Sequence, residues 1–280
     1  MRVVPLEAML WFASGCFSIP PPPSSYLCDK DMRCPDDLQC NRNGLCGDAS
    51  SGGGDDDTSD TPRGFTHFPA GFFTRGCDSG QEGCANEDRP AATISLSSFD
   101  LQNNEVTQAE YAACVTSMQC NPPQGPSYTP ASDPGLPVRG LAHGDAESYC
   151  AFFHARLPTE AEWERAARDR PGKYPWGNDE PNCDLANFQG CKGAPQIAAP
   201  TGGMQDLAGN VREWVSDGFV ADFYINSPRD NPMAPPAEDS VVRGGSFQSP
   251  AASLLVWHRE HLSSSSPGDD VGVRCARNSD

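Results

Sequence analysis

The chain has 280 residues, a formal net charge of −18, and 27 residues each of Gly and Pro. This length accommodates one sizeable domain with a small appendage, and the Gly and Pro content predicts a chain rich in loops. The acidic balance provides no excess of basic residues to neutralise phosphates, so it argues against nucleic acid as a partner.

Thirteen cysteines indicate the compartment in which the chain folds. A reducing cytosol rarely holds so many outside metal sites, and the chain contains no CxxC pair of the kind that binds metals. We therefore expect disulfides and an extracytoplasmic location in the cell envelope.

Residues 1–16 are predicted to be a lipoprotein-type signal. An apolar stretch leads to Ala13-Ser14-Gly15-Cys16, which resembles a bacterial lipobox in which Cys16 carries the lipid that anchors the chain to a membrane. Glu7 interrupts the stretch at a cost of about 2–3 kcal/mol, so a cleaved signal, a misassigned start and no export are the alternatives. With Cys16 acylated, twelve of the thirteen cysteines remain and can form six pairs.

Three segments are predicted before the main domain. Residues 17–27 form a Pro/Ser tether, and residues 48–63 form an acidic Gly/Ser/Asp linker. Between them, residues 28–47 have too few apolar side chains for a core and are expected to be a module held by two disulfides. Its cysteines recur every six residues, at Cys28, Cys34, Cys40 and Cys46. Three connectivities are open, and the module is either a spacer or a partner-binding knob.

Three helices are predicted in the main domain, residues 64–280. Two of them begin at capping boxes, Thr107 with Glu110 and Thr159 with Glu162, and the other begins near Asp145. The first helix is expected to carry one apolar face, formed by Tyr111, Cys114, Val115 and Met118.

Seven segments of the chain together resemble one family. They are GFFTRGCDSG (71–80), NNEVTQAEYAACV (103–115), ARLPTEAEWERAAR (155–168), YPWGND (174–179), DLAGNVREWVSD (206–217), VVRGGSF (241–247) and VGVRCA (271–276). In order and spacing they resemble the formylglycine-generating-enzyme, or sulfatase-modifying-factor, family over residues 64–280. The resemblance implies an α+β fold, a variant of the C-type-lectin fold with little regular secondary structure.

The resemblance also implies a chemistry, for which two residues are missing. The family's enzymes oxidise a sulfatase cysteine to formylglycine with molecular oxygen and copper held by two thiolates, at the second and seventh positions after the aromatic residue of RGGS-aromatic. Ser249 and Leu254 stand there, and no cysteine occurs between Phe247 and Arg274. A hydroxyl cannot replace a thiolate toward copper(I), so no catalytic residue and no copper are expected. The groove frame is expected to persist at Arg243, Gly244, Gly245, Ser246 and Phe247.

A structural calcium ion is a further implication of the resemblance. Asp206 and Glu213 would supply carboxylate oxygens, and Gly209 and Val211 would supply backbone carbonyls, which suits calcium. A Gly-Asn turn with Trp214 buried behind it is the alternative. The family's second calcium site is not assigned: Asn187 and Phe188 match its first ligands, but no acidic residue lies between Asn187 and Asp206.

The resemblance pairs Cys150 with Cys275, which leaves three short-range couples in the domain. These are Cys77–Cys84, Cys114–Cys120 and Cys183–Cys191.

Two other groups of polar residues invite a functional interpretation. Glu160 and Glu162 are explained by the first turn of a helix, where exposed N–H groups and the dipole favour negative charge. His258 and His261 are expected to have ordinary surface or core roles, with a nitrogen-ligand metal centre as the alternative. Glu260 lies between them and would point elsewhere in a regular element.

We therefore expect an envelope-tethered, non-catalytic binding or accessory module that takes a protein or peptide ligand in the family's groove. The alternatives are a divergent formylglycine-generating oxidase that matures sulfatases and a structural envelope protein.

Overall fold

The computed structural model describes residues 64–124, 127–198 and 203–279, together with three short strands nearer the N-terminus. These are β1 (Tyr26–Leu27), β2 (Gln39–Cys40) and β3 (Leu45–Gly47), which pair antiparallel in the order β1-β3-β2. The sequence assigned Tyr26 and Leu27 to the tether, whereas their strand pairs with the Cys-rich module. Cys16 and the disulfide pairing within that module lie outside the described residues.

The domain is built on three small sheets. Their strands are β4 (Phe65–Phe68), β5 (Gly71–Arg75), β6 (Ala92–Leu96), β7 (Phe99–Gln102), β8 (Arg212–Gly218), β9 (Asp239–Arg243), β10 (Glu260–Ser263), β11 (Val271–Gly272) and β12 (Ala276–Asn278). One sheet has the order β10-β9-β8-β11, with β11 parallel to β8, another has the order β12-β7-β4, and β5 and β6 form a hairpin.

Four helices and a 3₁₀ turn complete the described domain. They are α1 (Gln108–Thr116), α2 (His143–Phe152), α3 (Glu160–Ala167), α4 (Phe223–Asn226) and the 3₁₀ turn Ala251–Leu254. Capping boxes form at Thr107 and Thr159, as predicted. The second helix begins two residues before Asp145, because the Asp145 carboxylate accepts a hydrogen bond from the backbone N–H of Ala142 at 3.3 Å and so caps it.

The end of α1 differs from the sequence-based expectation. Met118 was placed on the apolar face, but the helix ends at Thr116 and Met118 is 89% exposed with a φ of 59°. The backbone N–H groups of Gln119 and Cys120 fold back onto the carbonyl of Cys114, which brings Cys120 to its disulfide partner. Closure of this short loop therefore exposes the Met118 side chain to solvent.

The four-stranded sheet separates two hydrophobic clusters. Trp214 and Val242 pack in one cluster, while their neighbours Val215 and Val241 pack in the other. This division follows from strand geometry, since successive side chains point to opposite faces of a sheet. The first cluster also holds the Cys150–Cys275 disulfide, so it ties α2 to the C-terminal segment.

Candidate functional site

A polar cleft of about 530 Å³ opens beside β10. It is lined by Glu87, Arg212, Gln248, Ser249, Pro250, His258, Arg259, Glu260, His261 and Asp270. Its lining comes from five stretches: the segment before β6, the start of β8, the turn that follows β9, β10 with the residues before it, and the segment before β11. The cleft thus includes Ser249, one of the two positions at which the family resemblance places the copper ligands.

Ser249 and Leu254 stand at the two positions where the family's enzymes have thiolates, and neither side chain is placed to hold copper. Leu254 is 1% exposed and packs in the hydrophobic cluster that contains Val215. Ser249 lines the cleft, but its hydroxyl oxygen accepts a hydrogen bond from the Ser246 N–H at 3.0 Å and lies 3.2 Å from the Ser246 hydroxyl. One apolar side chain and one neutral, hydrogen-bonded hydroxyl do not fit copper(I).

The residues expected to frame a groove, Arg243 to Phe247, lie beneath the cleft and are buried. Gly244 and Gly245 have φ values of 91° and 69°, which only glycine adopts without strain. The tight turn that they make brings Ser246 onto Asp270, whose carboxylate accepts the Ser246 hydroxyl at 2.5 Å. This stretch therefore shapes the floor, and the residues after it form the accessible wall.

Arg243 belongs to a buried cluster of ion pairs under the cleft. Its guanidinium contacts Glu160 and Glu164, both at 3.1 Å, and Arg259 makes two hydrogen bonds to Glu160 at 2.8 and 3.0 Å. Burial disfavours the charged form of Glu160, but Arg259 and Arg243 outweigh it and lower its pKa. Helix position alone had been expected to explain Glu160, but it does not. Glu162 does cap the helix, since its carboxylate accepts the backbone N–H of Thr159.

Asp217 lies against the same cluster and accepts the backbone N–H groups of Glu160 and Ala234, each at 2.7 Å. Burial and the nearby charge of Glu160 raise its pKa to about 7, against the opposing effect of these N–H groups and Arg259. The cluster is therefore sensitive to protons near neutral pH.

Arg212 forms ion pairs with two acidic side chains of the cleft. Its guanidinium lies 2.5 Å from Asp270 and 3.4 Å from Glu260. Burial opposes ionisation of Glu260, but hydrogen bonds from His258 and Ser253, with the charges of His258 and Arg212, lower its pKa to about 2. Glu260 is consequently ionised at all physiological pH values.

The two histidines both line the cleft but have different partners. His258 Nε2 lies 3.3 Å from Glu260, a contact that the sequence reasoning excluded. It forms because residues two apart in extended chain point to the same side, and His258 lies two residues before Glu260, the first residue of β10. His261 stacks on Phe219 and lies 2.7 Å from Asp239. Across residues 64–124, 127–198 and 203–279, no three His, Cys, Asp or Glu side chains are grouped so that they could hold a metal ion.

The expected calcium loop is tightly turned. Asp206, Gly209 and Asn210 have φ values of 54°, 89° and 62°. The N–H of Asn210 donates to the carbonyl of Asn187 at 2.8 Å, and that of Arg212 donates to the carbonyl of Asp270 at 2.9 Å. The C=O and N–H of a trans peptide point in opposite directions. The carbonyl of Gly209 therefore points away from Asn187, and the carbonyl of Val211 points away from Asp270.

Glu213, the second expected carboxylate, is already engaged. Arg274 donates to both of its oxygens at 2.7 Å, and Trp163 Nε1 donates to Oε2 at 2.7 Å. Each carboxylate oxygen offers about two lone pairs, so Oε1 retains one for a cation. Two carboxylates and two carbonyls are oxygen donors of the type that calcium prefers, and Glu213 would bind as a monodentate ligand.

Glu105 is a member of this region that sequence reasoning missed. Its carboxylate accepts the Asn210 side chain at 2.5 Å and the Val211 N–H at 3.0 Å, so it fixes the loop from behind. Burial, then the charges of Asp206 and Glu213, raise the pKa of Glu105 well above its usual range. Arg274 is the cation that opposes them.

Asn187 and Phe188, which matched the first ligands of a second calcium site, serve as supports. The Asn187 side chain donates to the carbonyl of Ala194 at 2.8 Å, and the backbone carbonyl of Asn187 accepts a hydrogen bond from the backbone N–H of Asn210. Phe188 packs against the hydrophobic cluster that contains Val215.

Four disulfides close the described domain, and they are the pairs expected from the sequence: Cys77–Cys84, Cys114–Cys120, Cys150–Cys275 and Cys183–Cys191. All eight cysteines of residues 64–279 are thereby oxidised. Several such bonds indicate an extracytoplasmic protein, because a reducing cytosol does not maintain them. Within the described residues, helices are too short or too polar to cross a membrane.

Comparison with known proteins supports the family indicated by the motifs. The family profile described as "Sulfatase-modifying factor enzyme 1-like domain" matches residues 55–279. The chain is 33% identical over 233 residues to "Serine/threonine-protein kinase Pkn1" of Chlamydia trachomatis, an alignment that covers 74% of the chain and 37% of the relative. The chain thus spans little more than a third of that relative's length.

Two further matches cover most of the protein concerned. "Formylglycine-generating enzyme" of Streptomyces coelicolor is 27% identical, over 78% of the chain and 90% of that enzyme. The structure of PvdO from Pseudomonas aeruginosa superposes with a TM-score of 0.68 at 22% identity, over 77% of the chain and 94% of PvdO, which shows a shared fold. The chain therefore belongs to the sulfatase-modifying-factor family, and its domain has the formylglycine-generating-enzyme-like fold.

Proposed function

We propose that this domain is a non-catalytic member of its family that binds a protein or peptide segment in the polar cleft. The observation that carries the proposal is the state of the two positions that would hold copper. Leu254 is buried among apolar side chains, and Ser249 is a neutral hydroxyl bonded to Ser246. Every cysteine of residues 64–279 is in a disulfide, so no other thiolate of this part of the chain can take their place.

The cleft retains what a binding site needs. Its floor is held by the glycine turn and the buried ion pairs of Arg243 and Arg259, so its shape does not depend on a ligand. Its walls offer carboxylates, imidazoles and a guanidinium, which are the groups that hydrogen-bond an extended peptide and its polar side chains. Loops held on a rigid frame commonly carry recognition.

The test uses the unmodified chain and a peptide of the type Cys-x-Pro-x-Arg. The chain is incubated with the peptide, copper and oxygen, and the peptide is followed by mass spectrometry beside the Streptomyces coelicolor relative under the same conditions. We expect the peptide cysteine to remain unchanged with this chain. Copper-dependent formation of the aldehyde would overturn the proposal and favour the divergent oxidase.

Binding is tested separately, so that the absence of chemistry is not confused with an empty cleft. An arrayed library of extended peptides is probed with the chain and with the matched variant His261→Ala, whose exposed side chain forms part of the cleft wall. Peptides bound by the chain and lost by the variant support a binding cleft. If no peptide depends on His261 or on a second variant, Gln248→Ala, the structural alternative is favoured.

We also propose that the protein is tethered in the bacterial envelope through a lipid on Cys16. The support is the Ala13-Ser14-Gly15-Cys16 sequence, together with four disulfides that place the domain outside the cytoplasm. Since one acyl chain binds membranes only marginally, several chains are expected. Cys16→Ala should release the protein from membranes of a bacterial host. Unchanged membrane fractionation would contradict the anchor.

A further inference from the structure

The disulfides of the domain differ in their access to solvent. Cys183 is exposed and Cys191 is partly exposed, whereas none of the other six cysteines of the domain is exposed: Cys84 is partly exposed and the remaining five are buried. Thiol–disulfide exchange requires an external thiolate to reach one sulfur of the bond. Among the four disulfides of residues 64–279, Cys183–Cys191 is therefore the one most open to attack.

The loop that this disulfide closes supports the polar cleft. The backbone N–H of Gln189 donates to the carbonyl of Ser249 at 3.0 Å, so the loop holds the residue that lines the cleft. This hydrogen bond lies close to the disulfide along the chain, because Gln189 is two residues before Cys191. Opening the disulfide would release this end of the loop from its covalent closure.

The same loop also meets the neighbouring turn. The carbonyl of Asn187 accepts the N–H of Asn210 at 2.8 Å. Packing there is close, since a Cβ added at Gly209 would lie 2.5 Å from the Asn187 carbonyl oxygen. Asn187 is also bonded to Ala194, and Phe188 is packed in the core, so this half of the loop has anchors other than the disulfide. Release is therefore expected to be local, at Gln189 and Ser249.

We propose that Cys183–Cys191 is an exchangeable disulfide that fixes one wall of the cleft and is opened by a dithiol reductant. One thiolate of the dithiol attacks the sulfur of Cys183, the exposed residue of the pair, and the bond to Cys191 breaks. Cys191, which precedes Lys192, leaves as a thiolate and takes a proton from water. The second thiolate of the dithiol then displaces Cys183, so the protein disulfide gains two electrons and two protons while the dithiol becomes a disulfide.

Reduction removes the covalent closure next to Gln189, so the Gln189–Ser249 hydrogen bond opens more often. The wall of the cleft then becomes mobile, while the floor under Arg243 stays fixed by its own ion pairs. This effect is confined to that wall. It holds whether or not a peptide is bound in the cleft, so its failure and the failure of the proposed function are distinguishable.

The first experiment measures the order of reduction in the full chain. The protein is treated with graded dithiothreitol, quenched with iodoacetamide at intervals, and mapped by mass spectrometry. Two of the other disulfides are buried and react only after local opening, and the Cys77–Cys84 disulfide has only one partly exposed cysteine, so Cys183 and Cys191 should be alkylated at least about tenfold sooner than the other six cysteines of the described domain. Simultaneous alkylation, or earlier alkylation of another pair of the domain, would overturn the proposal.

The second experiment measures the consequence by hydrogen exchange. Cys183→Ala/Cys191→Ala is compared with Cys114→Ala/Cys120→Ala, which removes a disulfide of similar sequence separation, 6 rather than 8 residues, away from the cleft. Exchange of the Gln189 N–H should rise several-fold in the first variant and stay unchanged in the second. Should the first variant fail to fold, the partly reduced native chain provides the same measurement. Equal exchange in both variants refutes a role in holding the wall.

Discussion

The Cys150–Cys275 disulfide should contribute far more to stability than Cys183–Cys191, although both are single bonds. Their cysteines are separated by 125 and by 8 residues along the chain. In the chain-entropy account, a disulfide lowers the entropy of the unfolded chain by an amount that grows with the logarithm of the number of residues in the closed loop. The resulting stabilisation is about 5 kcal/mol for the long loop and about 2.5 kcal/mol for the short one.

Packing increases this difference. Cys150 and Cys275 are 0% and 1% exposed within a hydrophobic cluster, so Cys150→Ala/Cys275→Ala also removes buried sulfur atoms, whereas the exposed Cys183 gives little of this effect. The total stability of a domain is about 5–15 kcal/mol, so loss of the long-range disulfide should leave the domain marginal or unfolded.

The assay is urea unfolding followed by tryptophan fluorescence, for the unchanged chain and for each double variant. Cys114→Ala/Cys120→Ala separates the two contributions, because this pair is buried but has a sequence separation of only 6, which corresponds to about 2 kcal/mol. We expect the free energy of unfolding to fall most for Cys150→Ala/Cys275→Ala. If Cys183→Ala/Cys191→Ala loses as much, the reasoning from loop length is wrong.

Two other predictions concern the calcium loop and Asp217. A chelator should lower the melting temperature of the chain, and Glu213→Ala should abolish the difference, because a cation that binds only the folded state stabilises it. Identical melting curves of the unchanged chain with and without chelator would count against the site. The pKa of Asp217 is raised from 3.8 to about 7 on folding, so the folded state holds an extra proton between these values and stability falls as pH rises through that range. Asp217→Asn should flatten this part of the plot of urea midpoint against pH, and an unchanged slope contradicts the assignment.

The parts of the fold that sequence predicted well are those determined over a few residues. Thr107 and Glu110 form a capping box because both hydrogen bonds join residues three apart. The disulfides followed from the family resemblance, which supplied the one long-range pair and left the short ones. Met118 was misplaced because helical periodicity does not record where the helix ends.

The parts that were missed depend on partners distant in sequence. Glu160 binds Arg259, 99 residues further along the chain, and Glu105 binds Asn210, 105 residues away. The sequence around either acid does not indicate its partner, because helix capping or a strand end already explains the pattern of each segment. The geometry of the cleft could not be predicted for the same reason, because its lining comes from five separate stretches of the chain.

The separation of floor and wall explains how the family's frame persists here without its thiols. The floor is stabilised by ion pairs of Arg243 and Arg259 with the glutamates of α3, and none of these contacts involves Ser249 or Leu254. Leu254 instead adds apolar contact to the core, where a polarisable thiolate would be desolvated. A cysteine restored at that position would therefore reduce packing and lack a cation beside it in the core. The frame of the family therefore persists without the thiols, because the contacts that hold its floor lie at other residues.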